Sequence, residues 1–126
     1  MMKRFHPENV PAASGPYSAG IAVGGLLFLA GQGPFNAKGE RVGDTFEDQV
    51  RATFENLERV ANDAGTSLSN AVRIGAYLTT LDNFAKFNEV MAEYVSEPYP
   101  VRTTIPVELR GFDIEIDAIL SIPEAD

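Results

Sequence analysis

A change of hydrophobic period near residue 65 constrains this chain most. Between Thr45 and Ala64, the residues Phe46, Val50, Phe54, Leu57, Ala61 and Ala64 fall on one face at helical spacing. Thr45-Phe46-Glu47-Asp48 resembles a capping box at the start, and Gly65 supplies the stop. Beyond it Val72, Ile74, Ala76 and Leu78 alternate with Arg73, Gly75, Tyr77 and Thr79, which is strand periodicity. A one-faced helix followed by a strand with one apolar face calls for helix-on-sheet packing.

The flanks complete that picture. Ser18 to Val23 and Leu26 to Ala30 read as strands joined by Gly24-Gly25, since both glycines tolerate positive φ in a two-residue hairpin. Gly33-Pro34 and Asn36 to Gly39 are turn chemistry, and a short extended piece is expected around Glu40 to Val42. A second helix is expected from Asp82 to Val95, with Phe84, Phe87, Met91 and Tyr94 or Val95 inward; Pro98 and Pro100 end it. Thr103 to Val107 and Phe112 to Ser121 read as the last two strands, expected to form a hairpin across Arg110-Gly111. The order β-β-(β)-α-β-α-β-β predicts a single α+β domain over residues 1–126, with both helices on one face of a mixed sheet. Val72, Ile74, Ala76, Leu78, Ile114, Ile116, Ala118 and Leu120 are assigned to the helix side. Tyr77, Ile119, Val107 or Ile105, and some of Leu27 and Leu29 remain for the far side, which suggests cover by other subunits.

Composition removes several chemistries. There is no cysteine, so no thiolate nucleophile or Cys-based metal site is available. His6 is the sole histidine and is expected to be a solvated terminal side chain, which leaves no Ser-His-Asp triad. No metal-ligand spacing, phosphate loop or dinucleotide fingerprint occurs. The net charge is −8 and the ten Lys and Arg are scattered, which argues against nucleic-acid binding. The longest apolar run, Ile21 to Ala30, is too short to span a bilayer, so no membrane partner is expected. Polar residues from His6 to Asn9 follow the basic start, where a secretory signal needs an apolar stretch, and the expected compartment is the cytoplasm.

Two residues stand out. Arg102 follows Pro100-Val101 on a stiff stem at a strand's edge, and its planar fork suits a small carboxylate. Glu115 lies inside the apolar strand Ile114-Glu115-Ile116. Spacing alone leaves open an ordinary surface ion pair between them. Glu115 and Asp117 also share a strand face, where two acids mark either a solvated face or a two-carboxylate glycosidase site.

A set of fragments runs along nearly the whole chain: Pro11-Ala12 before Gly15-Pro16-Tyr17-Ser18, the strand ending Gly31-Gln32-Gly33-Pro34-Phe35-Asn36, and Gln49 to Asn56-Leu57 on the helix. Ala64-Gly65, Phe84 to Asn88, Pro100 to Thr103 and the closing Ile114 to Ile119 complete it. In this order they resemble the RidA (YjgF-type) reactive enamine/imine deaminases. The resemblance implies a chorismate-mutase-like α+β fold assembled as a homotrimer, with clefts between subunits. It implies cofactor-free hydrolysis of 2-aminoacrylate, 2-iminobutyrate and similar carboxylates to 2-oxo acids and ammonia. Carried over residue by residue, it makes Arg102 the carboxylate grip and Glu115 the group that positions water or transfers the proton. Tyr17, Asn88, Thr104 and backbone near Gly31 would line the same cleft. Many relatives carry serine where Ala30 stands and often cysteine where Thr104 stands, and the segments before Arg102 and around Arg110-Gly111 are shorter here. Those departures bear on the substrate more than on the fold. They motivate an alternative in which the cleft binds a 2-oxo acid without turnover. A ribonuclease or translation-directed activity, attached to some relatives, is disfavoured by the charge.

Overall fold

Strand pairing in this chain builds one six-stranded sheet. The computed structural model describes residues 1–124. Its strands are β1 (Lys3–Phe5), β2 (Gly20–Val23), β3 (Leu26–Gln32), β4 (Ala71–Leu78), β5 (Val101–Pro106) and β6 (Ile114–Ser121); its helices are α1 (Phe46–Asp63) and α2 (Phe84–Met91). The spatial order is β1-β2-β3-β6-β4-β5. Only β4 and β5 run parallel, because the connection through α2 returns the chain to β4's side. Gly24 and Gly25 turn β2 into β3 with φ of 61° and 77°, the left-handed pair that the hairpin requires.

Helix α1 forms where the period places it. Thr45 Oγ1 accepts the Asp48 amide at 3.1 Å. The Asp48 carboxylate does not close the expected capping box and pairs instead with Arg51. Val50, Phe54, Leu57, Val60 and Ala61 are buried against Leu27, Ile74, Ile116 and Leu120 in one core. Each such side chain contributes roughly 1.5–3 kcal/mol when fully buried. Phe54 stacks on Phe87 of α2 at 6.1 Å and on Tyr94 at 5.0 Å, which locks the two helices side by side.

Several expectations are corrected. The two final strands form no hairpin: β4 lies between β5 and β6 and pairs with both. This gives β6, buried on its helix face at Ile114, Ile116, Ala118 and Leu120, a neighbour on each side, and leaves β5 on the edge. A shift of register between Ala71 and Arg73 turns Val72 outward, and Leu27 and Leu29 point to the helices rather than away. The regular helix α2 is shorter than expected, and Phe84 at its start is exposed while Phe87 and Met91 point inward. Glu40 to Val42 contributes only an isolated bridge between Phe35 and Arg41. Strand β1, which pairs with β2, was not expected.

The far face carries Phe28, Val101 and Ile105, all exposed, with Tyr77 and Ile119 half-buried. Among the described residues no helix is long and apolar enough to cross a membrane, and no cluster of His, Asp or Glu could hold a metal ion.

Candidate active site

Strand parity divides the candidate residues into two groups. In the parallel pair, Arg102 lies beside Ile74 and Thr104 beside Ala76, so both project to the helix face. Glu115 lies beside Tyr77 and projects to the opposite face. Within one chain, Arg102 and Glu115 therefore never meet, and the surface ion pair between them does not exist.

On the helix face, Arg102 Nη1 donates to Asn88 Oδ1 at 2.7 Å and reaches Met91 Sδ at 3.5 Å. Its Cζ stands 5.2 Å from the Phe84 ring centroid and 5.3 Å from that of Phe87. Two aromatic faces and an amide thus orient a cation, which explains why Phe84 stays at the surface. Burial pulls the guanidinium below its ordinary pKa, and the group remains charged. Both contacts leave from Nη1, so the Nη2 and Nε donors have no protein partner among the described residues. Those free donors form one edge of the fork, the edge a carboxylate takes in a bidentate pair. Arg102 borders a cavity of about 360 Å³ lined also by Asn88, Met91, Val95, Tyr99 and Pro100. Two residues along β5, the Thr104 hydroxyl is buried without a hydrogen-bond partner among the described residues.

On the other face, Tyr17, Gly31 and Glu115 come together around a second cavity of about 340 Å³, with His6, Ser14, Phe35 and Phe112. Burial raises the Glu115 carboxyl above the usual carboxylate range, and the Asp117 charge adds to the shift. Gly31 sits where β3 bulges between Leu29 and Gln32. A Cβ there would stand 2.7 Å from Glu115 Oε2, so the missing side chain makes room for the carboxylate. Tyr17 OH accepts the Ser14 amide at 3.2 Å. Hydrogen bonds from the Ser14 hydroxyl and amide hold the phenol below its ordinary pKa.

His6 is not the solvated side chain that the polar start suggested. Its Nδ1 accepts the Ala19 amide at 3.3 Å and its Nε2 lies 3.0 Å from the Pro11 carbonyl. A carbonyl can only accept, so Nε2 carries the proton. The ring therefore joins Pro11 and Ala19, which flank the segment bearing Ser14 and Tyr17.

A third group escaped the sequence reading. Asp117 Oδ1 accepts from Arg73 Nη1 at 3.0 Å and Oδ2 from Tyr77 OH at 2.8 Å. With both oxygens occupied, Asp117 is no second glycosidase carboxylate. The signal lay in the alternation Arg73-Gly75-Tyr77, three residues on one strand face, with the glycine leaving the space that Asp117 fills.

The chain is similar to known proteins over nearly its whole length. The family model described as Endoribonuclease L-PSP matches residues 7–122. A RutC family protein of Pyrococcus horikoshii is 43% identical over 122 residues, covering 94% of this chain and 97% of the relative. The crystal structure of RidA from an Antarctic Psychrobacter superposes with a TM-score of 0.88 at 34% identity, over 95% of this chain and 99% of that one. Escherichia coli TdcF, solved with bound serine, gives 0.85 at 31% identity over 96% and 99%. The match runs from Pro7 past the end of β6 and takes in both cavity linings except His6, and the chain belongs to the L-PSP family, the YjgF/RidA group.

Proposed function

We propose that this protein is a cofactor-independent hydrolase, acting in the cytoplasm, that deaminates reactive 2-enamine and 2-imine carboxylates of the 2-aminoacrylate and 2-iminobutyrate type. The observation that carries the reading is the free edge of Arg102, held open by Asn88, Phe84 and Phe87 beside an otherwise largely apolar cavity. A fork so oriented selects a small planar anion. Serine, the ligand of the TdcF structure, carries the same α-carboxylate. The separation of Arg102 and Glu115 onto opposite sheet faces supports a site completed between copies, in a homotrimer with clefts between subunits.

In that cleft Arg102 of one subunit holds the carboxylate through Nη2 and Nε. Glu115 of the next donates its proton to C3 of the enamine, and the double bond shifts to give the C2 iminium. The Glu115 carboxylate then takes a proton from water as the water oxygen bonds to C2. That proton passes to nitrogen, and the C2–N bond breaks with its electron pair on nitrogen as the C2 hydroxyl gives its proton to the Glu115 carboxylate and becomes the carbonyl; the 2-oxo acid and ammonia leave, and Glu115 is protonated for the next turn. A neutral imine takes the first Glu115 proton on its nitrogen instead, and continues as the same iminium. No covalent nucleophile is required, because the iminium carbon is already electrophilic. Asn88 acts by fixing Arg102, while Tyr17, Gly31 and Thr104 line the cleft.

The family's description as an endoribonuclease suits this chain less well. Its net charge is −8, and the two cavity linings hold one arginine and one histidine, too few cations to follow a phosphate backbone. Binding of a 2-oxo acid without turnover is the second reading, favoured by Ala30, which lacks a hydroxyl for ligand or water. The deciding experiment couples the protein to a threonine dehydratase and follows loss of 2-iminobutyrate. Acceleration over buffer that disappears in a folded Arg102→Ala variant is expected. No acceleration, or full rate in that variant, refutes the proposal.

A further inference from the structure

The far sheet face holds a set of charged groups that the proposed mechanism does not use. Arg73 and Tyr77 on β4 grip Asp117 on β6 through both of its oxygens. The grip has no slack. A Cβ on Gly75 would collide with Asp117 Oδ1 and come within 2.9 Å of Arg73 Nη1 and 3.0 Å of Tyr77 OH. Three strand residues are thus spent on fixing one carboxylate. Asp117 is two residues from Glu115 on the same strand face, about 7 Å along the strand. The other titratable groups facing Glu115 are Tyr17 and His6 from the N-terminal segment and Tyr77 from β4; β3 offers only Gly31 and Gln32. Asp117 is the one fixed anion among them, and a cation and a phenol hold it at constant distance.

We propose that the Arg73–Asp117–Tyr77 clamp is a positioning device for Glu115, which fixes a like charge beside it and so widens the pH range over which Glu115 carries a transferable proton. The inference deepens the deaminase reading and rests on it for the purpose served, though not for the electrostatics. Burial alone would raise Glu115 by an amount tied to how far the cavity is open. A clamped neighbour adds a part that stays constant as substrate and water enter. The Tyr77 hydrogen bond also keeps the phenol protonated, since donation to Asp117 lifts its pKa, so Tyr77 itself adds no charge.

The test follows Glu115 directly. Full-length protein labelled with ¹³C at the glutamate carboxyl is titrated by NMR, with Glu115→Gln identifying the signal. Asp117→Asn keeps the shape, with the amide oxygen still able to accept from Arg73 and the amide nitrogen able to donate to the Tyr77 hydroxyl oxygen, and should move the Glu115 midpoint down by about 0.5–1 pH unit. Arg73→Met leaves Asp117 less compensated and should move it up, and Arg73→Lys should restore the original value. An unmoved or raised midpoint in folded Asp117→Asn overturns the proposal, as does a lowered one in Arg73→Met. Turnover of 2-iminobutyrate against pH is measured on the same samples. Its alkaline limb should shift with the NMR midpoint, whereas a merely structural role would depress the rate at every pH and leave the limb in place. A moved midpoint without turnover in the wild type keeps the clamp and removes the deaminase. Turnover with an unmoved midpoint does the reverse.

Discussion

Replacing Gly31 by alanine tests the Glu115 cavity at one atom. The added methyl would lie 2.7 Å from Oε2, 3.1 Å from Cδ and 3.2 Å from Cγ of Glu115. Reaching an ordinary contact of about 3.4 Å requires the carboxylate to retreat by about 0.7 Å. Glu115 is half-buried and borders an open cavity, so its side chain can turn while β3 and β6 keep their register. The fold should therefore lose less than the ~1–3 kcal/mol typical of overpacking in a rigid core. Catalysis is less forgiving, because a misplacement of about 1 Å costs on the order of 100-fold. A retreat somewhat smaller than that predicts a roughly 10–100-fold lower kcat, with KM nearly unchanged because Arg102 holds the carboxylate from the other side of the cleft. The dehydratase-coupled assay supplies both constants, and thermal unfolding reports the fold. Full kcat in a folded Gly31→Ala protein would show that Glu115 need not stand where it does. Loss of several kcal/mol would show that the strand, not the carboxylate, gave way.

Two further outcomes follow from the same geometry. Burial raises the folded-state pKa of Glu115, so the native state binds more protons than the unfolded one between the two values, and stability falls as pH rises through that window. Glu115→Gln should accordingly raise the melting temperature relative to wild type at pH 7–8 and leave little difference near pH 4, below the ordinary carboxylate value of about 4.3; equal gains at both pH values would contradict this. The Thr104 hydroxyl is buried without a partner among the described residues, so Thr104→Val should be neutral or stabilising by up to about 1 kcal/mol in thermal unfolding. A lower melting temperature would mean that the hydroxyl is satisfied in the assembled protein.

Local pattern carried the elements that depend on neighbouring residues alone. The stripe from Phe46 to Ala61 and the Gly24-Gly25 turn each need nothing beyond their own segment to be read. What the sequence hid were choices of partner. Thr103 to Val107 and Phe112 to Ser121 look like a hairpin because they are consecutive, yet the core rewards placing the fully alternating β6 between two neighbours. That choice also sets which way Arg102 points. Parity within a strand is visible, but the face it corresponds to depends on the partner strand, so the split of Arg102 from Glu115 could not be seen in advance. The resemblance assigns all the candidate residues to one cleft, whereas within the chain Arg102 lies with Asn88 on one sheet face, and Glu115 with Tyr17 and Gly31 on the other. His6 was misjudged because its partners, the Ala19 amide and the Pro11 carbonyl, are backbone atoms with no sequence signature.

The two ends of the sheet differ in how they refuse additional strands. At one end β1 is three residues long and presents Lys3 and Arg4, so a further strand would bury charge for few hydrogen bonds. At the other end β5 is twice that length and exposes Val101 and Ile105, the composition of a strand prone to recruit others. Its protection is covalent: Pro100 stands just before it and Pro106 closes it, and neither has an amide hydrogen to offer an incoming chain. The proline that stiffens the approach to Arg102 therefore also limits edge-to-edge aggregation, and replacing it for the sake of the site would open the sheet to growth.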